Sequence, residues 1–182
     1  NSIFSDLYEE GSSFSDSLFS VFNQSSISFS NSNISGFHSL ADLVVVFNDS
    51  SLQFHESNVD FSGGGDAFTF FNNVIAGISD LVLIGGEGNG ITMFNNSNVN
   101  LSRVEVKDFT MNGIDEYGSS SGYNPNSLTL NDVVISGNNI GLGSYSDLIY
   151  SGTDVEISNN TTYGAFLYSS GILNLPNIWW GN

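Results

Sequence analysis

The chain is predicted to be all-β, a single-stranded parallel β-helix (solenoid) of about seven coils of 22–25 residues. Three observations point there. Ser 32, Asn 24 and Gly 20 fill about two-fifths of the 182 residues, yet 40% are hydrophobic and 13% aromatic, so turn formers and core formers are both plentiful. Strong helix formers are scarce: Ala occurs only at Ala41, Ala67, Ala76 and Ala165, and Lys plus Arg number two. Most telling is a repeat, an aromatic followed by a short polar residue at Phe22-Asn23, Phe47-Asn48, Phe71-Asn72, Phe94-Asn95, Tyr123-Asn124, Tyr145-Ser146 and Tyr168-Ser169.

Residues 1–17 depart from the repeat and carry Asp6, Glu9, Glu10 and Asp16, which suits a leader or a charged cap over the first coil; the solenoid occupies 18–182. After Phe22 come apolar residues at the fifth, seventh and twelfth positions, Ile27, Phe29 and Ile34. The same offsets hold Leu52, Phe54 and Val59 after Phe47, and Ala76, Ile78 and Leu83 after Phe71. After Phe94 they hold Val99, Leu101 and Val106. A long loop is placed at 107–122, because the spacing from Phe94 to Tyr123 is 29. The columns resume with Leu128, Leu130 and Ile135, then Tyr150, Gly152 and Ile157, then Leu173, Leu175 and Trp180, with Trp179 facing outward. Alternate apolar positions in short runs are strands with one face buried, and a coil of this size buries that face only by stacking on its neighbours. The Asn column sits at the corners, where Asn tolerates a left-handed backbone and its amide reaches the next coil. Gly63-Gly64-Gly65-Asp66 and Gly85-Gly86-Glu87-Gly88-Asn89-Gly90 lack the Lys of a phosphate loop and turn corners before Phe71 and Phe94.

The formal charge of −17, with Arg103 and Lys107 the only Arg or Lys, excludes polyanions, so nucleic acid is not an expected partner. No apolar run is long enough to span a bilayer as a helix, and the absence of Cys removes disulfides and thiolate sites.

Val133-Val134-Ile135-Ser136-Gly137-Asn138-Asn139, Val155-Glu156-Ile157-Ser158-Asn159-Asn160 and the ending Ile178-Trp179-Trp180-Gly181-Asn182 carry a resemblance. They resemble the right-handed parallel β-helix repeats of the pectin-lyase-like superfamily, and most nearly the Asn/Ser/Gly-rich adhesin-like surface proteins. The resemblance implies a right-handed coil and an extracellular or cell-surface setting. It also implies two function classes: a non-catalytic module for adhesion or for filament or surface-layer assembly, and alternatively a polysaccharide-active lyase, epimerase or hydrolase. The lyases of this fold would need carboxylates holding Ca2+ beside a basic residue, and the hydrolases several clustered Asp residues.

The ninth position after each aromatic is polar: Asn31, Glu56, Asp80, Arg103, Asp132, Asp154 and Asn177. Stacking places Arg103 between Asp80 and Asp132, either as an ion-pair ladder or as part of a sugar site. Asp132 beside Asp154, without a cation, is a candidate Ca2+ pair. The expected loop gathers Asp108, Asp115, Glu116 and Tyr117, which with Arg103 form the candidate set for a sugar or metal. No pair of carboxylates with defined acid and base roles stands out, and His38 and His55 sit in no motif, so the balance leans away from catalysis and requires no cofactor. Acceptor sequons at Asn159 and Asn160 are the better glycosylation candidates, since those at Asn23, Asn48 and Asn95 lie in the ladder. Expected partners are a glycan or a cell-surface protein, together with end-to-end self-association.

Overall fold

A computed structural model describes residues 2–5, 17–37, 40–118, 124–146, 149–168, 173 and 175–181. Among them there is no helix. The strands are β1 (Ser2–Ser5), β2 (Ser17–Val21), β3 (Ser26–Ser30), β4 (Ser32–Phe37), β5 (Asp42–Phe47), β6 (Ser51–Phe61), β7 (Phe68–Phe71) and β8 (Ile75–Gly86). They continue with β9 (Ile91–Phe94), β10 (Asn98–Phe109), β11 (Asn112–Glu116), β12 (Ser127–Ser136), β13 (Ile140–Ser144), β14 (Ile149–Ser158), β15 (Tyr163–Leu167) and β16 (Ile178–Trp180). One sheet runs β1-β4-β6-β8-β10-β12-β14-β16, with β3 also on β6; the other runs β2-β5-β7-β9-β11-β13-β15. Every pairing is parallel. Seven rungs in the second sheet make about six turns of a parallel β-solenoid, close to the seven coils expected.

The apolar columns stack as the repeat requires. Ile27, Leu52, Ala76, Val99, Leu128 and Tyr150 are successive register partners, as are Val59, Leu83, Val106, Ile135, Ile157 and Trp180. The core they build buries Phe54, Phe61, Phe68, Phe70 and Phe109 completely. The polar ninth-position column has a structural cause. Asn31, Glu56, Asp80, Arg103, Asp132, Asp154 and Asn177 all have φ between 50° and 58°, so each bends the chain through the left-handed region. The register skips these residues, and the bend divides each long strand between two faces of the solenoid.

Two expectations are corrected. The loop placed at 107–122 is strand in its first half: Lys107 pairs with Ile84 and Ser136 inside β10, and β11 pairs with β9 and β13. The fifth aromatic of the ladder is Tyr117, 23 residues after Phe94, and not Tyr123, which lies outside the described residues. The extra residues therefore fall between β11 and β12. The reason is that Tyr117 packs on Phe94 at 5.1 Å and on Tyr145 at 5.4 Å, nearly parallel to both. Asn124 accordingly leaves the Asn column. At the C-terminal end Trp180 keeps its core register opposite Ile157 but is 48% exposed, because no described strand lies beyond β16. Within the segment read as a leader, β1 adds one parallel rung to β4, with Phe4 opposite Ile34, while Asp6, Glu9, Glu10 and Asp16 lie outside the described residues.

Candidate functional site

The outer surface of the second sheet carries three ladders side by side. The first is aromatic. Phe22, Phe47, Phe71, Phe94, Tyr117 and Tyr145 stack with ring centroids 4.4–5.4 Å apart and interplanar angles of 10° or less. Parallel stacking hides the ring faces and presents edges to water. Above Tyr145 the order breaks: Phe166 and Tyr168 lie 6.3 and 6.1 Å away, tilted by 58° and 35°.

The second ladder is the Asn corner. Asn48 Nδ2 donates to Asn23 Oδ1 at 3.1 Å, Asn72 to Asn48 at 3.0 Å and Asn95 to Asn72 at 2.9 Å. Asn73 and Asn96 run beside it, onto Asp49 and Asn73. All have φ from 49° to 63°, the conformation that Asn tolerates best among residues with a Cβ.

The third ladder stands five residues before four of these aromatics, Phe47, Phe71, Phe94 and Tyr117: Asp42, Asp66, Asn89 and Asn112. The side-chain oxygens of Asp42, Asp66 and Asn89 each accept the backbone N–H one coil on, Asp66 N to Asp42 at 2.8 Å, Asn89 N to Asp66 at 2.8 Å and Asn112 N to Asn89 at 2.9 Å. The hydroxyls of Thr69 and Thr92 donate to the second oxygens of Asp42 and Asp66. Burial pushes the Asp42 carboxyl up, against the opposing pull of its bonds to Thr69 and Asp66.

On β11 the pattern changes. Asp115 takes the place of Thr in the column of Thr69 and Thr92, and is followed in register by Gly143. It is 1% exposed, hydrogen-bonded to Tyr117 and Asn112, and its Oδ1 has no partner. Desolvation raises the Asp115 carboxyl above the usual carboxylate range, and burial beside Asp115 raises the Tyr117 and Tyr145 phenols. Glu116 points the other way, into the core column of Val46, Phe70 and Met93. It is fully buried, yet Oε1 accepts from Asn126 Nδ2 at 2.6 Å and Ser146 Oγ at 2.7 Å, and Oε2 from Ser144 Oγ at 3.0 Å and Ser146 N at 3.2 Å. It ties both sides of the 118–126 insertion to the next coil. Above it Tyr150, 7% exposed, has a phenol raised by burial and a hydroxyl without a hydrogen-bond partner of good geometry.

The candidate residues thus separate. Asp115, Glu116 and Tyr117 come together on and just after β11; Asp108, exposed in β10 with φ 64°, and Arg103 belong to the other sheet. Arg103 grips Asp80 with two hydrogen bonds, from Nε at 2.5 Å and Nη2 at 2.7 Å, lowering the Asp80 carboxyl. Asp132 acts on Arg103 only through its charge, so the expected bridge is a bidentate grip on one coil. These three line a shallow groove with Val82, Glu105 and Val134. Asp154 is bonded by Asn177 Nδ2 at 3.2 Å and by Thr153. Among the described residues no three His, Asp or Glu gather as metal ligands. Asn159 is exposed at a corner, whereas the Asn160 amide donates to Ile135 O and accepts from Asn138, bonds that a glycan would have to break. His38 lies outside the described residues.

Asp42, Asn126 and the two serines escaped the sequence reading, which placed Asp66 only in a corner-turning loop. The acid-to-amide ladder was nonetheless signalled, by Asp66-x-x-Thr69 and Asn89-x-x-Thr92 recurring at the coil period. The chain matches no protein family, curated protein or solved structure in comparison with known ones.

Proposed function

We propose that the chain is a non-catalytic extracellular β-solenoid module for cell-surface adhesion or structural assembly, of the right-handed pectin-lyase-like kind. The observation that carries this reading is how its polar chemistry is spent. The Arg103 guanidinium is held by Asp80, and the oxygens of Asp42, Asp66 and Glu116 by donors from neighbouring coils. Such side chains build a rigid rod, and its regular exterior suits a glycan, a cell-surface protein or a second rod end to end, with Ca2+ screening the −17 charge. Binding of purified protein to glycan arrays and to cells, with and without Ca2+, tests it; retention without substrate turnover is the expected result.

A second reading, a polysaccharide-active enzyme, is favoured by Asp115, a buried carboxyl raised in the manner of a general acid and bonded to the Tyr117 hydroxyl. Cleavage of an acidic polysaccharide that vanishes in Asp115→Asn would establish it and displace the first.

A further inference from the structure

We propose that the shallow groove beside Arg103 is a binding site for one neutral pyranose ring of a glycan. The proposal rests on the glycan-binding form of the adhesive reading and names the ligand class and the place it enters. The groove crosses β8, β10 and β12 on the outer surface of the first sheet, encloses about 210 Å3 and is bordered at the bend by Asp80, Arg103 and Asp132. Its two strand spacings span about 10 Å, the scale of a single sugar ring rather than of a polymer.

The first support is unused donors beside an unused acceptor. Of the five N–H groups of Arg103, two grip Asp80 and one reaches Ser102 Oγ at 3.1 Å, leaving two without a partner among the described residues. The bidentate grip also fixes the guanidinium plane, so little side-chain freedom remains to be lost on binding. One coil on, the Asp132 carboxylate accepts no hydrogen bond from the described residues and acts on Arg103 only through its charge. A hydroxyl both donates and accepts, so neighbouring hydroxyls of a sugar use a fixed N–H and a free carboxylate side by side.

The second support is the floor. Val82, Glu105 and Val134 are register partners on the strand halves after the bend. The column continues as Asn58 before Val82 and as Glu156 after Val134, so its apolar members fall at the groove alone among these coils. Both valines are half-buried on the outward face and offer pads to the C–H face of a ring, while Lys107 Nζ holds Glu105 between them at 2.8 Å.

Charge then selects the class. The chain's only Arg and Lys both stand on β10, one lining the groove and one holding its Glu105. Asp80 already matches the Arg103 charge, so a carboxylated sugar meets Asp132 with no cation to spare. A cationic ligand is drawn to the whole acidic surface without preference for this place. A neutral ring escapes both effects.

The test is titration of the 15N-labelled full chain with the methyl glycosides of glucose, galactose and mannose, read through backbone amide shifts, with methyl galacturonoside as the acidic control. Saturable shifts confined to β8, β10 and β12, at a roughly millimolar Kd for at least one neutral glycoside and absent with the galacturonoside, are the expected result. Asp132→Asn, which keeps the side-chain shape and tolerates the left-handed backbone, should weaken binding about fivefold or more. Val134→Lys, which fills the groove from an outward position, should abolish it, and unchanged amide shifts in β11 and β13 show that both variants fold. Retention on a glycan array that survives both variants overturns the groove while the adhesive reading stands. Groove shifts without retention on arrays or cells uphold the groove and overturn the adhesive reading. No shift with any of the three neutral glycosides, or equal binding of the galacturonoside, also overturns the proposal.

Discussion

Replacing Glu116 by Gln isolates the one fully buried carboxylate, among the described residues, whose oxygens are all satisfied. Its four donors are not equivalent. The hydroxyls of Ser144 and Ser146 can rotate and accept instead, but the Ser146 backbone N–H and Asn126 Nδ2 cannot. Asn126 is locked as well, because its Oδ1 accepts the Ser97 N–H at 2.8 Å, so flipping the amide breaks that bond. A glutamine must therefore aim its NH2 at one fixed donor, and the weaker contact, Ser146 N at 3.2 Å, is the one sacrificed. Leaving that N–H unpaired costs about 1–3 kcal/mol, and the remaining bonds lose roughly half their strength with the charge. Relief of the buried ion's desolvation offsets part of this, so the net loss is about 2–3 kcal/mol. For a chain of this size that is a fall in Tm of roughly 5–10 °C, read by far-UV circular dichroism. Because solenoid repeats couple to nearest neighbours, hydrogen exchange should quicken around β11 and β13 and stay unchanged at β5 and β7. Glu116→Ala, which strands both fixed donors and leaves a void, should cost about 4 kcal/mol or more. A Glu116→Gln protein within about 0.5 kcal/mol of the parent would refute the reasoning.

Other consequences are open to measurement. Phe71→Ala removes the ring stacked between Phe47 at 4.8 Å and Phe94 at 4.4 Å and should lower stability by about 1–3 kcal/mol in urea unfolding. Gly152→Ala, at φ 135° with its new Cβ overlapping the Leu130 carbonyl, should cost about 3 kcal/mol or more and reduce soluble yield. Asp115 has a folded-state pKa above its unfolded value, so the native chain binds the extra proton and stability falls as pH rises between those two values. Melting curves from neutral pH down into the carboxylate range should therefore rise with acidification, and Asp115→Asn should be more stable at neutral pH with a flatter profile. A steeper profile in the variant would contradict this.

How far the sequence could be read depended on what repeats. Columns such as Val59, Leu83, Val106 and Ile135 carry the same apolar demand on every coil, so their register was legible from spacing. The polar column through Arg103 was legible too, although its cause, a left-handed bend on each coil, belongs to the backbone. The position of the insertion was not. Tyr117-Gly118 and Tyr123-Asn124 both satisfy an aromatic-then-small pattern, and the core columns on either side are indifferent to which one is used.

The period, the parallel stacking and the apolar interior were determined by the amino-acid sequence alone, because a short coil can bury its nonpolar face only against copies of itself. Tertiary structure decided the rest: that Tyr117 completes the aromatic stack, that Glu116 lies inside the core and that Asp115 is left one donor short beneath a glycine. Each of these depends on which residue of the next coil lies above it, a distance along the chain that the insertion changes and that only packing resolves.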